Sequence, residues 1–262
     1  MAPRATRFAQ KADGAMDSVT SRTNSLERQR VVVVGGTSGM GLGAARAAAA
    51  AGAQVIVGGR RAPADPRSGV AFAHVTVDVT DEAAVRAAFE GIGALDHLLV
   101  TAAPAPGSWG AFLEQDVAGA RKYMDAKFFG SLACARWAAP RMRAGGSITF
   151  LTGATAVRPR PGLAMVTATF AALEALSRAL AVELGPIRVN TIRPGLVDSD
   201  MWSFLDESAR AQLFQRARET FPARRVGAID DIGHAAVFLM TNPYVTGTVL
   251  EVTGGEQLVD AL

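Results

Sequence analysis

The stretch VVVVGGTSGMGLG, from Val31 to Gly43, decides the fold of this chain. Four valines in a row predict a short strand that is buried on both faces, as the strands of parallel sheets are. Gly35, Gly39 and Gly41 follow, and glycines so placed allow a tight turn and a close approach of the backbone to a phosphate. An alanine-rich helix comes next, and its first N–H groups are free to bind an anion. The alternative is a glycine turn that serves packing alone.

The rest of the chain alternates short apolar runs with helical stretches. Strands are predicted within QVIVGGR (54–60), FAHVTVDV (72–79), LDHLLVTAA (95–103), GSITFLTGA (146–154), IRVNTIRPG (187–195) and GTVLEVTGG (247–255). This alternation predicts an α/β fold, a doubly wound parallel sheet of the Rossmann type with three α/β/α layers in a single domain. We expect the domain to span residues 30–262. Residues 1–29 are predicted to form a disordered tail, because they mix polar residues without periodicity, and Met16 is an alternative start.

Composition and charge exclude several classes of protein. The 27 basic and 24 acidic residues give a net charge of +3. The sequence lacks the stripe of basic residues interleaved with aromatic residues that is typical of nucleic-acid binding, so no nucleic-acid partner is predicted. No segment is expected to span a membrane and no secretory signal is visible, so we expect a cytoplasmic protein. The single cysteine, Cys134, fits a reducing compartment and a buried position. His74, His97 and His234 lie far apart in the sequence, so no metal site is predicted.

Three further motifs carry a family resemblance. The glycine turn from Val34 to Gly41 is followed by Asp78 in VDVTD, by RPGLVDS (193–199) and by GTVLEVTGG. With these motifs the chain resembles the short-chain dehydrogenase/reductase family over nearly everything after residue 30. The resemblance implies a nicotinamide dinucleotide cofactor, an adenine contact at Asp78 and a Pro-Gly loop over the nicotinamide. It implies these cofactor-binding residues: Gly35, Thr37, Ser38, Gly39, Met40, Gly41, Asp78, Val79, Ala102, Pro194, Gly195, Val197 and Ser199.

The end of the second strand distinguishes NAD from NADP. An acidic residue there would bind the ribose 2′-hydroxyl, whereas arginine accommodates a 2′-phosphate. This chain has Gly58-Gly59-Arg60-Arg61 and no carboxylate at that point. We therefore predict NADP(H), with Arg60 as the phosphate clamp and Arg61 beside it. Solvated surface arginines are the alternative, above all for Arg61.

The resemblance fails at the positions that usually carry catalysis in this family, namely a tyrosine, a lysine, a serine and an asparagine. Alignment of the helix GLAMVTATFAALEALSRALAVEL (162–184) places Val166 at the tyrosine and Phe170 at the lysine. Counting back places Gly153 at the serine, and Lys127 falls on the asparagine. All four positions therefore differ from the family pattern.

Other polar groups are candidates for the missing chemistry. Lys127 stands at a position that faces the active site in the family, and a buried ammonium there would donate a proton or hold an oxyanion. Tyr123 lies four residues earlier on the same helical face, and Thr152 and Thr155 flank the vacated serine position. A surface lysine that extends to solvent is the alternative for Lys127, and packing is the alternative for Tyr123.

Three functions remain open. The first is an NADP(H)-dependent reductase that acts on an activated small-molecule carbonyl, imine or enone. The second is a non-redox enzyme, such as a cyclase, isomerase or lyase, with an apolar cavity lined by Trp109, Phe128, Phe129, Val166, Phe170 and Trp202. The third is a catalytically silent subunit of a hetero-oligomer. For an enzyme, the resemblance implies a homodimer or homotetramer.

Overall fold

The computed structural model describes residues 25–62, 72–104 and 110–259. Its seven strands form one sheet in the order β3-β2-β1-β4-β5-β6-β7, and every pairing between neighbours is parallel. The strands are β1 Arg30–Val34, β2 Gln54–Gly59, β3 Ala73–Thr76, β4 Leu95–Val100, β5 Met142–Leu151, β6 Arg188–Pro194 and β7 Val249–Val252. The predicted Rossmann-type fold is therefore confirmed. The strand order reverses between β1 and β4, where sheets of this kind leave a crevice at the carboxyl ends of the strands.

Helices cover both faces of the sheet. They are α1 Gly39–Ala50, α2 Glu82–Ile92, α3 Val117–Met124, α4 Gly130–Ala138, α5 Ala164–Glu183, α6 Glu207–Thr220 and α7 Ile229–Thr241. Val31 and Val33 of β1 pack with α1 and α7 on one face. Val32 and Val34 pack with α2, α4 and α5 on the other face. Because successive residues of a strand point to opposite faces, burial on both sides explains the unbroken valine run.

The domain begins earlier than the sequence predicts. Leu26 is fully buried in the core beside α1 and α7, and its N–H donates to the carbonyl oxygen of Ala51 at 2.7 Å. Gln29 Oε1 lies 2.6 Å from Nε2 of His97, which is itself buried. The predicted boundary after residue 29 is therefore too late, since these residues are packed against the sheet. The rest of the predicted tail, residues 1–24, lies outside the described residues.

Helix α5 is the one helix of the described residues that is long and apolar enough to resemble a membrane span. By length and composition alone this helix could cross a membrane, although no such segment was predicted from the sequence. Leu173 of this helix packs in the core of the sheet, and Glu174 and Arg178 interrupt its apolar run. Since core helices of soluble proteins pass the same test, the finding is weak support for a membrane span.

Cys134 behaves as a structural residue. Cys134 is fully buried on α4, and burial raises the pKa of its thiol to about 12, so it packs as a small apolar side chain. Within residues 25–62, 72–104 and 110–259, no three His, Cys, Asp or Glu side chains gather in a way that could hold a metal ion.

Candidate active site

The glycine turn after β1 is pressed against the end of β4. Gly35 has φ +87°, and a Cβ there would lie 2.5 Å from Thr101 Oγ1 and 2.6 Å from the amide nitrogen of Ala102. A Cβ on Gly41 would lie 2.2 Å from the carbonyl oxygen of Gly35. Thr101 Oγ1 donates to the carbonyl oxygens of Val34 and Gly35, at 3.2 and 3.1 Å. Only glycine fits these two positions, and the turn is held at the crevice between β1 and β4.

The start of helix α1 suits a phosphate. Ser38 is the N-cap residue, its side chain makes no capping hydrogen bond, and the first turn carries no acidic residue. Gly39 has φ +50°, and the nearest atom to a Cβ there is Ser199 Cβ at 3.7 Å. Met40 packs its side chain against the core. The first turn of α1 therefore carries no acidic side chain that would oppose an anion at its free N–H groups.

Arg60, Arg61 and Asp78 lie at the rim beyond β2 and β3. Both arginines are exposed. Asp78 Oδ1 accepts hydrogen bonds from the backbone N–H and hydroxyl of Thr80, at 3.0 and 2.7 Å. These bonds, with a smaller contribution from the Arg60 charge, lower the pKa of Asp78 below its usual value. Thr37 reaches the same rim, since its Cγ2 would lie 3.0 Å from a Cβ on Gly59.

A second loop closes the crevice from β6. The N–H of Gly195 donates to the carbonyl oxygen of Val252 at 3.1 Å. Val197 is buried and forms a parallel bridge with Gly227. Ser199, two residues further, faces Gly39 as described above. The segment from Pro194 to Ser199 therefore lies opposite the glycine turn, as the family resemblance implies. The resemblance also implies a cofactor contact at Val79. In the structure the Val79 side chain packs against the start of α4, where a Cβ on Gly130 would lie 2.8 Å from Val79 Cβ.

Lys127 is buried in the crevice region. It lies on a π-helical turn, Asp125–Phe129, between α3 and α4, and its side chain is 2% exposed. Its Nζ donates to the carbonyl oxygen of Ala102 at 3.2 Å and lies 5.9 Å from the ring centroid of Phe170. Burial lowers its pKa to about 7, with no contribution from a carboxylate of the described segments. The alternative of a lysine that extends to solvent is therefore wrong.

Phe170 and Gly153 are sterically matched. A Cβ on Gly153 would lie only 2.7 Å from Phe170 Cε2, so the ring covers the space that a serine side chain would need. Val166, one turn earlier on α5, is also buried. The Phe170 ring thus lies against both Gly153 and the Lys127 amine, two of the positions at which the sequence analysis predicts a departure from the family pattern.

We expect Gly153→Ala to destabilise the protein by about 1–3 kcal/mol, because the added methyl group would overlap the half-buried Phe170 ring and force it to shift. The backbone at Gly153 has φ −172°, which alanine adopts freely. The expected loss of stability therefore comes from contact with Phe170 and not from backbone strain. In a Phe170→Ala background the same substitution should cost almost nothing. Urea denaturation of the four proteins gives the coupling energy.

Gly91→Ala is the matched control for that cycle, because no atom lies within 4 Å of a Cβ at Gly91. It lies within α2, so alanine there should stabilise the protein by about 0.5–1 kcal/mol. Equal costs of Gly153→Ala with and without Phe170 would contradict the steric match.

Thr152, Thr155 and Tyr123 have different environments. Thr152 Oγ1 donates to Glu174 Oε1 at 3.0 Å and is also 3.4 Å from the carbonyl oxygen of Ile192, so its proton is already engaged in the core. Thr155 Oγ1 is buried and has no hydrogen-bond partner within the described chain. Tyr123 is buried, and burial raises the pKa of its phenol well above the usual value. Tyr123 is therefore a packing residue rather than an acid at neutral pH.

Sequence reasoning missed a buried ion-pair cluster beside Thr152. Arg193 Nε and Nη2 donate to the two carboxylate oxygens of Glu174, at 2.9 and 2.7 Å. Arg193 Nη1 also pairs with Glu251. One signal was available, because charged residues within an apolar strand and an apolar helix require partners when they are buried. The cluster joins α5, β6 and β7 directly behind the crevice.

The predicted apolar cavity is only partly assembled. Val166 and Phe170 lie at the crevice, but Phe129 is 51% exposed and lines a separate surface groove between α2 and α4. Phe128 packs in the core on the α2, α4 and α5 face. Trp202 Nε1 donates to the carbonyl oxygen of Val197 at 2.9 Å, behind the β6 loop. Trp109 lies outside the described residues.

Comparisons with known proteins agree with this architecture. The model of a family described as Enoyl-(Acyl carrier protein) reductase matches residues 34–257. Short-chain dehydrogenase/reductase ucsE from Acremonium sp is 32% identical over 262 residues, which cover 90% of this chain and 98% of that protein. A solved small-chain dehydrogenase in complex with NADPH is 36% identical with a TM-score of 0.78, and the match covers 88% of this chain and 100% of that chain.

A further solved structure is also similar. MalC Reductase/Diels-Alderase from Malbranchea aurantiaca is 25% identical with a TM-score of 0.79, and the match covers 90% of this chain and 99% of that one. The family model spans most of the chain, and the relatives are matched over almost their full length. The chain is a member of the short-chain dehydrogenase/reductase family, which binds NAD(P)H.

Proposed function

We propose that this protein is an NADP(H)-dependent reductase that acts on an activated small-molecule carbonyl, imine or enone without the usual Ser/Tyr/Lys set. The observation that carries the proposal is the buried Lys127 amine, held between the carbonyl oxygen of Ala102 and the ring of Phe170. In this proposal Lys127 acts as the proton donor. Its ammonium has three N–H donors, of which the contact with Ala102 uses one.

The cofactor assignment is supported by the fit of the crevice. The open glycine turn and the start of α1 would hold the pyrophosphate, Asp78 would meet the adenine, and Arg60 would pair with the 2′-phosphate. Pro194 to Ser199 would cover the nicotinamide. When bound, the dinucleotide supplies a hydride to the substrate carbon. The solved relative that carries NADPH supports NADP(H) rather than NAD(H) for this chain.

Lys127 would supply the proton. A pKa of about 7 means that a large share of the amine is protonated at neutral pH and releases its proton easily, which is what a general acid needs. Val166 and Phe170 exclude water from the site and therefore strengthen the interaction of the ammonium with a developing negative charge. Thr155 has a buried, unpartnered hydroxyl that would hold the substrate oxygen. Thr152 is left out of this assignment.

An activated substrate is proposed because two groups that an ordinary ketone needs are absent from this site. An unactivated ketone needs a well-placed acid and a group that orients its oxygen, and Gly153 and Val166 provide neither. An enone or quinone spreads the incoming electrons over more atoms, and an iminium already carries its positive charge. Such substrates lower the demand on the acid, so a single lysine suffices.

The test is calorimetric titration of the purified protein with NADPH and NADH, followed by a screen of enones, quinones and cyclic imines for NADPH consumption. Tight NADPH binding together with substrate-dependent consumption supports the proposal. Absence of binding to either nucleotide would overturn it.

We expect Arg60→Ala to raise the Kd for NADPH about 10- to 50-fold, because it removes a charge-assisted pair with the 2′-phosphate. The Kd for NADH should stay within about twofold, since NADH has no such phosphate. Arg61→Ala is the matched control, because Arg61 is the neighbouring arginine and is also exposed; it should have a smaller effect on the Kd for NADPH. Equal losses for NADPH and NADH in Arg60→Ala would contradict the assignment.

A non-redox enzyme is the second candidate. The apolar Val166 and Phe170 side chains at the crevice favour it, as does the similarity to a protein named Reductase/Diels-Alderase. Substrate turnover without NADPH consumption would identify this function. A silent subunit would bind NADPH weakly or not at all and would gain activity only with a partner chain.

The proposed active form is a homodimer or homotetramer in a cytoplasmic setting. Helix α5 is apolar over most of its length, yet only five of its 20 residues are buried, and Val182 is 84% exposed. An exposed apolar helix face favours association with another copy of the chain. Sedimentation of the purified protein would measure the assembly directly.

A further inference from the structure

A buried carboxylate lies directly behind the β6 loop. Glu256, on the short turn Glu256–Leu258 after β7, is 5% exposed. Its Oε2 accepts the backbone N–H of Leu196 at 2.7 Å. A Cβ on Gly195 would lie 2.6 Å from the same oxygen. The carboxylate can therefore approach the loop only because residue 195 is glycine.

The rest of Glu256 meets the segment that leads from β5 to α5. Arg160 Nη2 donates to Oε1 of Glu256, and Arg158 Nη1 donates to the main-chain carbonyl oxygen of Glu256 at 3.1 Å. Arg160 is only partly exposed, with 26% of its side chain accessible. Two arginines from one segment thus converge on one residue from a distant part of the chain.

These contacts join two walls of the crevice. The segment from Ala154 to Leu163 begins beside Gly153 and ends at the start of α5, which carries Val166 and Phe170. The loop from Pro194 to Ser199 forms the facing wall. Burial of the Glu256 carboxylate costs free energy, and the arginine and the Leu196 N–H offset it only while both walls stay in place. The carboxylate therefore favours one arrangement of the two walls.

We propose that Glu256 is a positioning residue that couples the segment 154–163 to the loop 194–199, so that the two walls of the crevice open and close together. Glu256 touches neither the cofactor nor a reacting atom in this assignment. It acts through Leu196 on one side and through Arg160 on the other. The consequence for NADPH binding depends on the proposed function, whereas the coupling of the two segments does not.

Hydrogen exchange of the ligand-free protein tests the coupling, because exchange reports local opening of each segment. In Glu256→Gln the amide still accepts from Leu196 but loses its charge for Arg160, and we expect exchange about tenfold faster in both segments. Arg160→Gln should accelerate both segments equally, and the double variant should exchange no faster than either single one. Thermal denaturation confirms that each variant is folded, and Arg160→Gln keeps the test valid if Glu256→Gln does not fold.

Asp96→Asn is the matched control. Asp96 also accepts one backbone N–H, from Arg30 at 2.7 Å, and one arginine, Arg143, at 2.7 Å, but it lies at the opposite end of the sheet. It should leave exchange in 154–163 and 194–199 unchanged. Faster exchange confined to one of the two segments in Glu256→Gln or Arg160→Gln would overturn the proposal.

Calorimetry with NADPH separates this inference from the proposed function. If wild type binds NADPH, Glu256→Gln and Arg160→Gln should each weaken binding about three- to tenfold while kcat changes less than KM. Unchanged NADPH affinity in both variants would overturn the role of Glu256 toward the cofactor. If wild type does not bind NADPH, the proposed function fails, and the exchange experiment still decides whether the two walls are coupled.

Discussion

Replacement of Lys127 by methionine should lower kcat/KM for NADPH-dependent reduction about 100- to 1,000-fold, since a positioned proton donor contributes on this scale. Methionine has a similar length, fills the same buried space and cannot donate a proton. The Kd for NADPH should stay within about twofold, because none of the proposed phosphate or adenine contacts involves Lys127. Steady-state kinetics with the best substrate from the screen, together with calorimetry, checks both values.

The pH profile of Lys127→Met provides a sharper readout. With a pKa of about 7, the ammonium of wild type loses its proton as the pH rises, so kcat/KM should fall above about pH 7. The residual activity of the variant should lack this step. Lys122→Met is the matched control, because Lys122 lies on the neighbouring α3 and lines the surface groove. A wild-type profile that is flat from pH 6 to 9 would contradict the assignment of Lys127 as acid.

Lys127→Met should lower the activity of the protein but raise its stability below about pH 7. The folded-state pKa of Lys127 is lowered to about 7 from an ordinary value of 10.5. Between these values the unfolded chain binds more protons than the folded chain, so wild-type stability should rise with pH in this window. Below about pH 7 wild type bears the full cost of the buried ammonium, at most about 5 kcal/mol, and Lys127→Met should be more stable there. A variant that loses stability together with activity would indicate a structural lysine.

The fold could be predicted because its signals are local. The valine run of β1, the glycines after it and the alanine-rich start of α1 are adjacent in sequence, and each requires a buried strand, a tight turn or a helix for steric reasons. The domain boundary failed because the burial of Leu26 depends on contacts with α1 and α7, which are remote in sequence. Polar composition around residue 26 does not reveal such contacts.

The sequence predicted which residues lie at the candidate site, but not how their side chains contact one another. The resemblance located Gly153, Val166, Phe170 and Lys127, but the steric match between Phe170 and Gly153 arises from two elements that meet only in the folded chain. The burial of Lys127 follows from a π-helical turn, which changes the face that a helix presents and which no periodicity count anticipates. The hydrogen bond of Thr152 could not be predicted, because its partner, Glu174, is 22 residues away on α5.

Arg193 is the second position where a large effect is expected. Arg193 is 8% exposed, and its guanidinium pairs with both carboxylate oxygens of Glu174 and contacts Glu251 as well. Arg193→Met would leave the buried Glu174 carboxylate without its charged partner and would remove the ion pair with Glu251. Loss of one partner of a buried pair costs about 3–5 kcal/mol, so we expect a decrease of this size in the free energy of unfolding, measured by urea denaturation at pH 7.

Arg225→Met is the control, because Arg225 forms an ion pair of similar geometry that is exposed rather than buried. Arg225 also pairs with both oxygens of one carboxylate, Asp231, at 2.6 and 2.7 Å, but its side chain is 57% exposed. An exposed pair is worth less than about 1 kcal/mol because water solvates both charges. Similar losses for Arg193→Met and Arg225→Met would contradict the argument that burial sets the cost.

The double variant Arg193→Met with Glu174→Leu separates the value of the pair from the penalty of an orphaned charge. If most of the loss comes from the unpaired carboxylate, removal of Glu174 should restore about 2 kcal/mol or more. Thr152 would then lose its hydrogen bond to Glu174 and keep only the longer one to the carbonyl oxygen of Ile192, which leaves a smaller residual cost. Because the cluster fixes α5 against the end of β6, NADPH binding should weaken in Arg193→Met and recover in the double variant. Recovery of stability without recovery of binding would show that Arg193 itself, rather than the packing of the cluster, shapes the loop at Pro194.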